Sequence, residues 1–271
     1  MIFRRWQQIA LSLLLALPVA AGAQTHSKGT ADRTVAAVPF GPGERMTYKV
    51  SLSLFGEVGN GSIEVLQLDT IQGHPSYKLR LYLKGGIPLA HVQDEYQSWL
   101  DIYDLVSHRF FQDVREVRYK RKRTIDFYPA ERRWHRIDND ESGVMPTELP
   151  LDDLSFLYYV RTLPLNVGDT YTLDRYWKED GNPVTVKVIR RDTISVPAGR
   201  FAVIVIQPII RTRGLFSEGG KAEVFFTDDA RRIPVQIKTN VPVIKSMNMQ
   251  LETYSPGKRL APVFNSSTGT H

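Results

Sequence analysis

Alternation of apolar and polar residues at a period of two constrains this chain more than any other feature. Met46, Tyr48, Val50, Leu52 and Leu54 alternate with polar neighbours, as do Tyr77, Leu79, Leu81 and Leu83. That period belongs to a strand with one buried face. It returns at Val184, Val186 and Val188 and at Met247, Met249 and Leu251, while 201–206 is a solid apolar run of the kind covered on both faces. Turn-forming residues punctuate the runs at Gly59-Asn60-Gly61, from Gln72 to Pro75, from Asp180 to Pro183, at Pro197-Ala198-Gly199 and from Ser217 to Gly220. The pattern predicts a mainly β protein, a single antiparallel, strongly curved sheet or open barrel.

One segment departs from it. Asp152 or Asp153 is placed to cap a helix whose Leu154, Leu157, Tyr158 and Arg161 fall near one face, with Pro164 as its limit, so one short helix is expected near 153–163. It lies between two strand-rich halves.

The start of the chain addresses export. Arg4 and Arg5 precede an apolar run from Ile9 to Leu17, Pro18 breaks it, and Ala21-Gly22-Ala23 supplies small residues for cleavage. Residues 1–23 are read as a signal peptide, too short and too interrupted to span a membrane, with no transmembrane segment expected after cleavage. Residues 24–38 and 255–271 are polar and aperiodic and are read as a disordered linker and tail around a β-rich domain at 39–254. The expected location is the periplasm. With no cysteine in the chain, disulfides and thiolate metal sites are excluded and stability must come from burial and backbone pairing.

Charge is concentrated in one place. Removing Arg4 and Arg5 lowers the formal excess from +6 to +4, yet residues 115–136 alone hold nine Lys or Arg against three acids. After export the anionic partners within reach are lipid head groups, acidic glycans and acidic proteins, not nucleic acid.

The segments PFGPGERMTYKV at 39–50, DDLSFLYYVRTLPLNVGDTYTL at 152–173, VPAGRF at 196–201 and FFTDDARRIPVQIK at 225–238 together resemble the family catalogued as domain of unknown function 3108. The resemblance implies an exported bacterial β-rich protein of the Gram-negative envelope. It carries no catalytic residue with it.

Signals for chemistry are sparse. No two histidines have metal-ligand spacing, and His91 with Asp94 and Glu95 matches no metal signature. The pairs Asp152-Asp153 and Asp228-Asp229 read as a helix cap and a turn, no G-x-S-x-G elbow is present, and GEVGNG at 56–61 lies between strands, where a phosphate loop would need a helix. No enzyme, cofactor or metal is expected.

The basic hairpin is the remaining lead. On a strand over 117–127 one face carries Tyr119, Arg121, Arg123, Ile125 and Phe127, and the returning strand adds Trp134 and Arg136 to it. Arg121 and Arg123 thus stand among aromatic and aliphatic groups on the side that should face inward, where an unpaired cation is costly. Three resolutions are open: pairing with inward acids, a ribbon projecting past the core as a charged edge, or a cavity for an anionic amphiphile. The last makes Tyr119, Arg121, Arg123, Phe127, Trp134 and Arg136 the candidate ligand-binding residues, for a lipid or another anionic amphiphile of the envelope. The rival is an interaction scaffold docking an acidic envelope protein or membrane surface through the hairpin, and a weaker one is a hydrolase of an envelope polymer.

Overall fold

The computed structural model describes residues 34–87, 90–116, 119–210, 222–241 and 245–261. The segment read as a signal peptide, most of the expected linker, the turn expected at Ser217–Gly220 and the last ten residues lie outside these. Eight strands precede the helix: β1 (Arg45–Leu52), β2 (Gly56–Ile71), β3 (His74–Ile87), β4 (Ala90–Asp101), β5 (Ser107–Glu116), β6 (Tyr119–Tyr128), β7 (Arg133–Arg136) and β8 (Glu141–Val144). After α1 (Asp153–Val160) come β9 (Thr170–Leu173), β10 (Val184–Val196), β11 (Gly199–Ile209), β12 (Glu223–Thr227), β13 (Pro234–Val241) and β14 (Lys245–Ser255).

All fourteen share one sheet, in the order β8-β7-β6-β5-β4-β3-β2-β1-β14-β13-β12-β11-β10-β9, with every neighbouring pair antiparallel. The chain therefore meanders outward from β1 to the β8 edge, crosses with α1 to the β9 edge, and meanders back until β14 pairs with β1. The two strand-rich halves expected from sequence meet in mid-sheet and share one core. Laid flat at the usual strand spacing, β8 and β9 would stand roughly 60 Å apart. Instead Phe127 on β6 and Trp134 on β7 touch Trp177, just beyond β9, with ring centroids 5.5 and 5.8 Å apart. Leu151 and Tyr176 form a lone parallel bridge across the same gap. The sheet is thus strongly curved, and among the described residues its two edges converge without pairing strand to strand.

Its enclosed face is filled by side chains. Met46, Tyr48, Ile63, Tyr77, Leu79, Val186 and Leu251 are buried, and α1 packs against β3 and β4 with Tyr158 edge-on to Phe40. The outward positions carry Arg45, Lys78, Arg80 and Lys187, the reverse of the polar-in, apolar-out order of a membrane barrel. No described helix is long and apolar enough to cross a membrane.

Several expectations need correction. Gly59-Asn60-Gly61 is not a turn but the interior of β2, and the turn falls at 53–55, leaving Leu54 exposed. The glycines serve close approach: a Cβ on Gly59 would stand 2.3 Å from the Lys84 carbonyl oxygen, opposite Gly85 on β3. The helix ends at Val160, and it is buried nearly all round, including Ser155, Phe156 and Val160, so a one-sided apolar face understates it. Both ends of the folded body extend past 39–254. Val35 is buried and the Ala36 amide donates to Ile102, while the Lys258 amide donates to Pro42 and Leu260 packs on the core.

Candidate functional site

The hairpin forms as its sequence predicts. β6 pairs with β7 after a 3-10 turn at Pro129–Glu131, so Phe127 stands opposite Trp134 and Ile125 opposite Arg136. Burial along β6 is graded: Tyr119 to Lys122 are exposed, Arg123 and Thr124 half-buried, and Ile125 to Phe127 buried. The strand leaves the core toward its start, and the charged end projects.

At the boundary, where the two sheet edges converge, lies a pocket of about 260 Å³ lined by Arg123, Ile125, Trp134, Arg136, Glu141, Val144, Trp177, Lys178 and Glu179. The lining comes from β6, β7 and β8 on one edge and from the segment after β9 on the other. Trp134 and Trp177 meet edge to face there, and Gly143 on β8 makes room, since a Cβ on it would stand 2.7 Å from the Trp134 ring.

The cations of this pocket are not equivalent. Arg136 donates twice to Asp138, at 3.1 and 2.6 Å, and lies 3.6 Å from Glu141, so its charge is compensated. Arg123 donates from Nε to Gln112 Oε1 at 2.9 Å, a neutral partner; among the described residues no carboxylate is within ion-pair distance of it. Burial, and then the Arg121 charge, disfavour its charged form, with Asp153 offsetting part of this. Burial likewise lowers the Lys178 ammonium, and the Arg123 charge lowers it further. Two partly desolvated cations therefore meet at the pocket from its two sides, Arg123 from β6 and Lys178 from the segment after β9, with Glu179 also in the lining and the Asp153 charge partly offsetting both.

The six candidate residues divide accordingly. Arg123, Trp134 and Arg136 line the pocket. Phe127 is fully buried and props Trp177 from inside the core. Tyr119 and Arg121 sit on the exposed ribbon, with the guanidinium 5.0 Å from the ring centroid. Trp177 and Lys178 were missed, because only the curl of the sheet brings 177–179 to the hairpin and no local pattern announces that.

The acidic pairs take structural places. Asp152 caps α1, accepting from the amides of Leu154 and Ser155 and from the hydroxyls of Ser98 and Ser107, so it is fully engaged. Asp153 accepts from the Tyr176 hydroxyl at 3.2 Å. Asp229 closes the β12–β13 turn with Thr227 and Arg231. His91 is exposed, whereas Asp94 is buried against the Arg115 amide and Glu95 bonds Arg80, so that trio forms no cluster. A different one does form: the rings of His74 and His108 both approach Asp101.

The family model described as protein of unknown function, DUF3108, matches residues 45–252. No curated protein matches this chain. Among solved structures, a beta-barrel-like protein of domain of unknown function DUF1849 from Brucella abortus gives a TM-score of 0.53 at 9% identity, over 82% of this chain and 100% of its own. A chain described as "a putative lipoprotein" from Parabacteroides distasonis gives a TM-score of 0.35 at 12% identity, over 81% and 99%. The first is a likeness of fold.

Proposed function

The chain belongs to the DUF3108 family, and from that premise we propose that it is an exported, non-enzymatic envelope protein that binds an anionic amphiphile by its charged end. The head group enters the seam pocket. Arg123 and Lys178 take the phosphate or carboxylate, and Trp134, Trp177, Ile125 and Val144 receive the adjoining apolar atoms. The signal-like start supports export, and the engagement of Asp152 in the helix cap argues against a hydrolytic carboxylate pair.

One observation carries the reading: Arg123, half-buried, has a neutral amide where a carboxylate would be expected. A cation without a matched anion gains from a ligand anion that is itself stripped of water, and a guanidinium fork suits phosphate and carboxylate geometry. The size of the pocket sets the division of labour. At about 260 Å³ it lies below the usual range for whole drug-sized ligands, so it holds a head group and leaves the chain outside.

Titration with dodecyl phosphate, followed by tryptophan fluorescence, tests this. Binding should saturate, weaken with salt, fall at least about tenfold in Arg123→Ala, and be absent for the uncharged dodecyl maltoside. Equal binding of the two detergents, or an unchanged Arg123→Ala, would overturn it. The exposed strip Tyr119 to Lys122 favours a second reading, docking onto an acidic protein surface. In that case charge reversal at Lys120 and Lys122 abolishes capture of the acidic partner and leaves dodecyl phosphate binding intact.

A further inference from the structure

We propose that His74, Asp101 and His108 form a binding site for a divalent transition-metal ion of the zinc type, at the end of the sheet where β3, β4 and β5 lie side by side. His74 opens β3, Asp101 closes β4 and His108 is the second residue of β5. Thirty-four residues separate the histidines, which is why spacing in the sequence conceals the set.

The geometry is that of a ligand shell. His108 Nε2 lies 3.3 Å and His74 Nδ1 3.6 Å from the same oxygen, Asp101 Oδ2. Zinc bonds of about 2.0–2.2 Å in a tetrahedron place ligand atoms about 3.4 Å apart. All three candidate ligand atoms lie within 4.8 Å of one another. The two rings stack at 3.9 Å with 21° between their planes. Coordination requires the planes to intersect at the metal. His74, whose side chain is 40% exposed, is the ring nearer solvent and the one that would have to tilt, while His108 at 3% is enclosed.

Asp101 is prepared for the role. Its Oδ1 accepts from the amides of Tyr103 and Asp104 at 2.7 and 2.9 Å, which fixes the carboxylate and leaves Oδ2 to the imidazoles. The carboxylate is fully buried. Three potential ligand atoms converge, and either imidazole N–H groups or a metal can bridge them. The Nδ1 of His108 is buried without a protein partner among the described residues, so the hydrogen bond of this ring runs between Nε2 and Asp101 Oδ2, and a metal on Nε2 would leave the ring proton on Nδ1. Two imidazoles and one carboxylate suit zinc and its neighbours and leave a coordination position for water.

The test is a titration of the full chain, with any affinity tag removed, with Zn²⁺ and separately with Co²⁺. About one Zn²⁺ should bind per chain and raise the unfolding temperature, and Co²⁺ should show the intense visible bands of low-coordinate geometry. His74→Ala should weaken binding more than about tenfold and abolish the thermal shift. His91→Ala, at an exposed histidine outside the cluster, should change nothing. Absence of binding by the native chain, or equal binding by His74→Ala, would overturn the proposal and leave the trio a hydrogen-bonded clasp. Binding of dodecyl phosphate is a separate readout, so this result stands apart from the seam pocket.

Discussion

Arg161 and Glu44, 117 residues apart, form a two-pronged ion pair at 2.7 and 2.8 Å with both side chains 1% exposed. The same guanidinium donates to the Arg231 carbonyl at 3.0 Å and lies 5.3 Å from the ring centroids of Phe40 and Tyr158. The end of α1, the start of β1 and the β12–β13 turn are thereby fixed at one point. Removing one charge strands the other where water cannot reach it. Glu44→Gln should therefore cost about 3–5 kcal/mol in urea unfolding, whereas Glu44→Leu combined with Arg161→Met should lose much less than the two single changes added together. Additive losses would show that the two residues act independently.

Asp153 gives the fold a pH dependence of unusual sign. Burial, then the neighbouring Asp152 charge, raises its pKa from 3.8 to about 6. Between those values the folded state holds a proton that the unfolded state has released, so stability falls as pH rises through this window and the full cost is present above about 6. Two pKa units correspond to roughly 3 kcal/mol. Asp153→Asn, which keeps an acceptor for Tyr176, should stabilise the protein at pH 7.5 and gain little at pH 4. Denaturant titrations of both proteins at the two pH values measure the difference, and equal gains at both would refute the assignment.

Gly59 and Gly73 should fail for different reasons. A Cβ at Gly59 would lie 2.3 Å from the Lys84 carbonyl oxygen and 2.5 Å from the Gly85 Cα, both backbone atoms in a paired strand. Gly59→Ala must spread β2 from β3, at a cost of about 1–3 kcal/mol. Gly73 has open space around it but a φ of +81°, so Gly73→Ala meets only backbone strain, about 1 kcal/mol. Gly73→Asn, which tolerates that conformation better, should recover part of the loss, while no residue larger than glycine recovers Gly59.

The strands were legible because β1, β3, β10 and β14 each bury one face, and a buried face writes a period of two into the chain. The helix cap was legible at Asp152 for a similarly local reason, the demand of the first amides of α1 for an acceptor. What stayed hidden depends on distance. The glycines of β2 resemble a turn unless the facing Lys84–Gly85 backbone is known, and His74, Asp101 and His108 share no local pattern. The hairpin was recognised from its arginines on an inward face, but the graded burial that exposes Arg121 and half-buries Arg123 follows from where β6 leaves the core. Trp177 and Lys178 join the site only because the β9 edge curls round to β6 and β7.

That dependence on curvature yields the sharpest test of the pocket. Gly143 supports the Trp134 ring, and its added Cβ would stand 2.7 Å from three indole atoms. Gly143 lies on the short edge strand β8, opposite Trp134, so the cheapest relief for Gly143→Ala is displacement of the indole, away from its edge-to-face contact with Trp177. The change touches neither Arg123 nor Lys178, yet it should weaken dodecyl phosphate binding several-fold and alter the tryptophan emission, with a stability loss of about 1–3 kcal/mol. Trp177→Ala removes the far wall together with the partner of Phe127, and should cost about 3–5 kcal/mol as well as the binding. If Gly143→Ala bound dodecyl phosphate as the native chain does while its emission shifted, the indole would be a strut between the sheet edges and the ligand would rest on the cations alone.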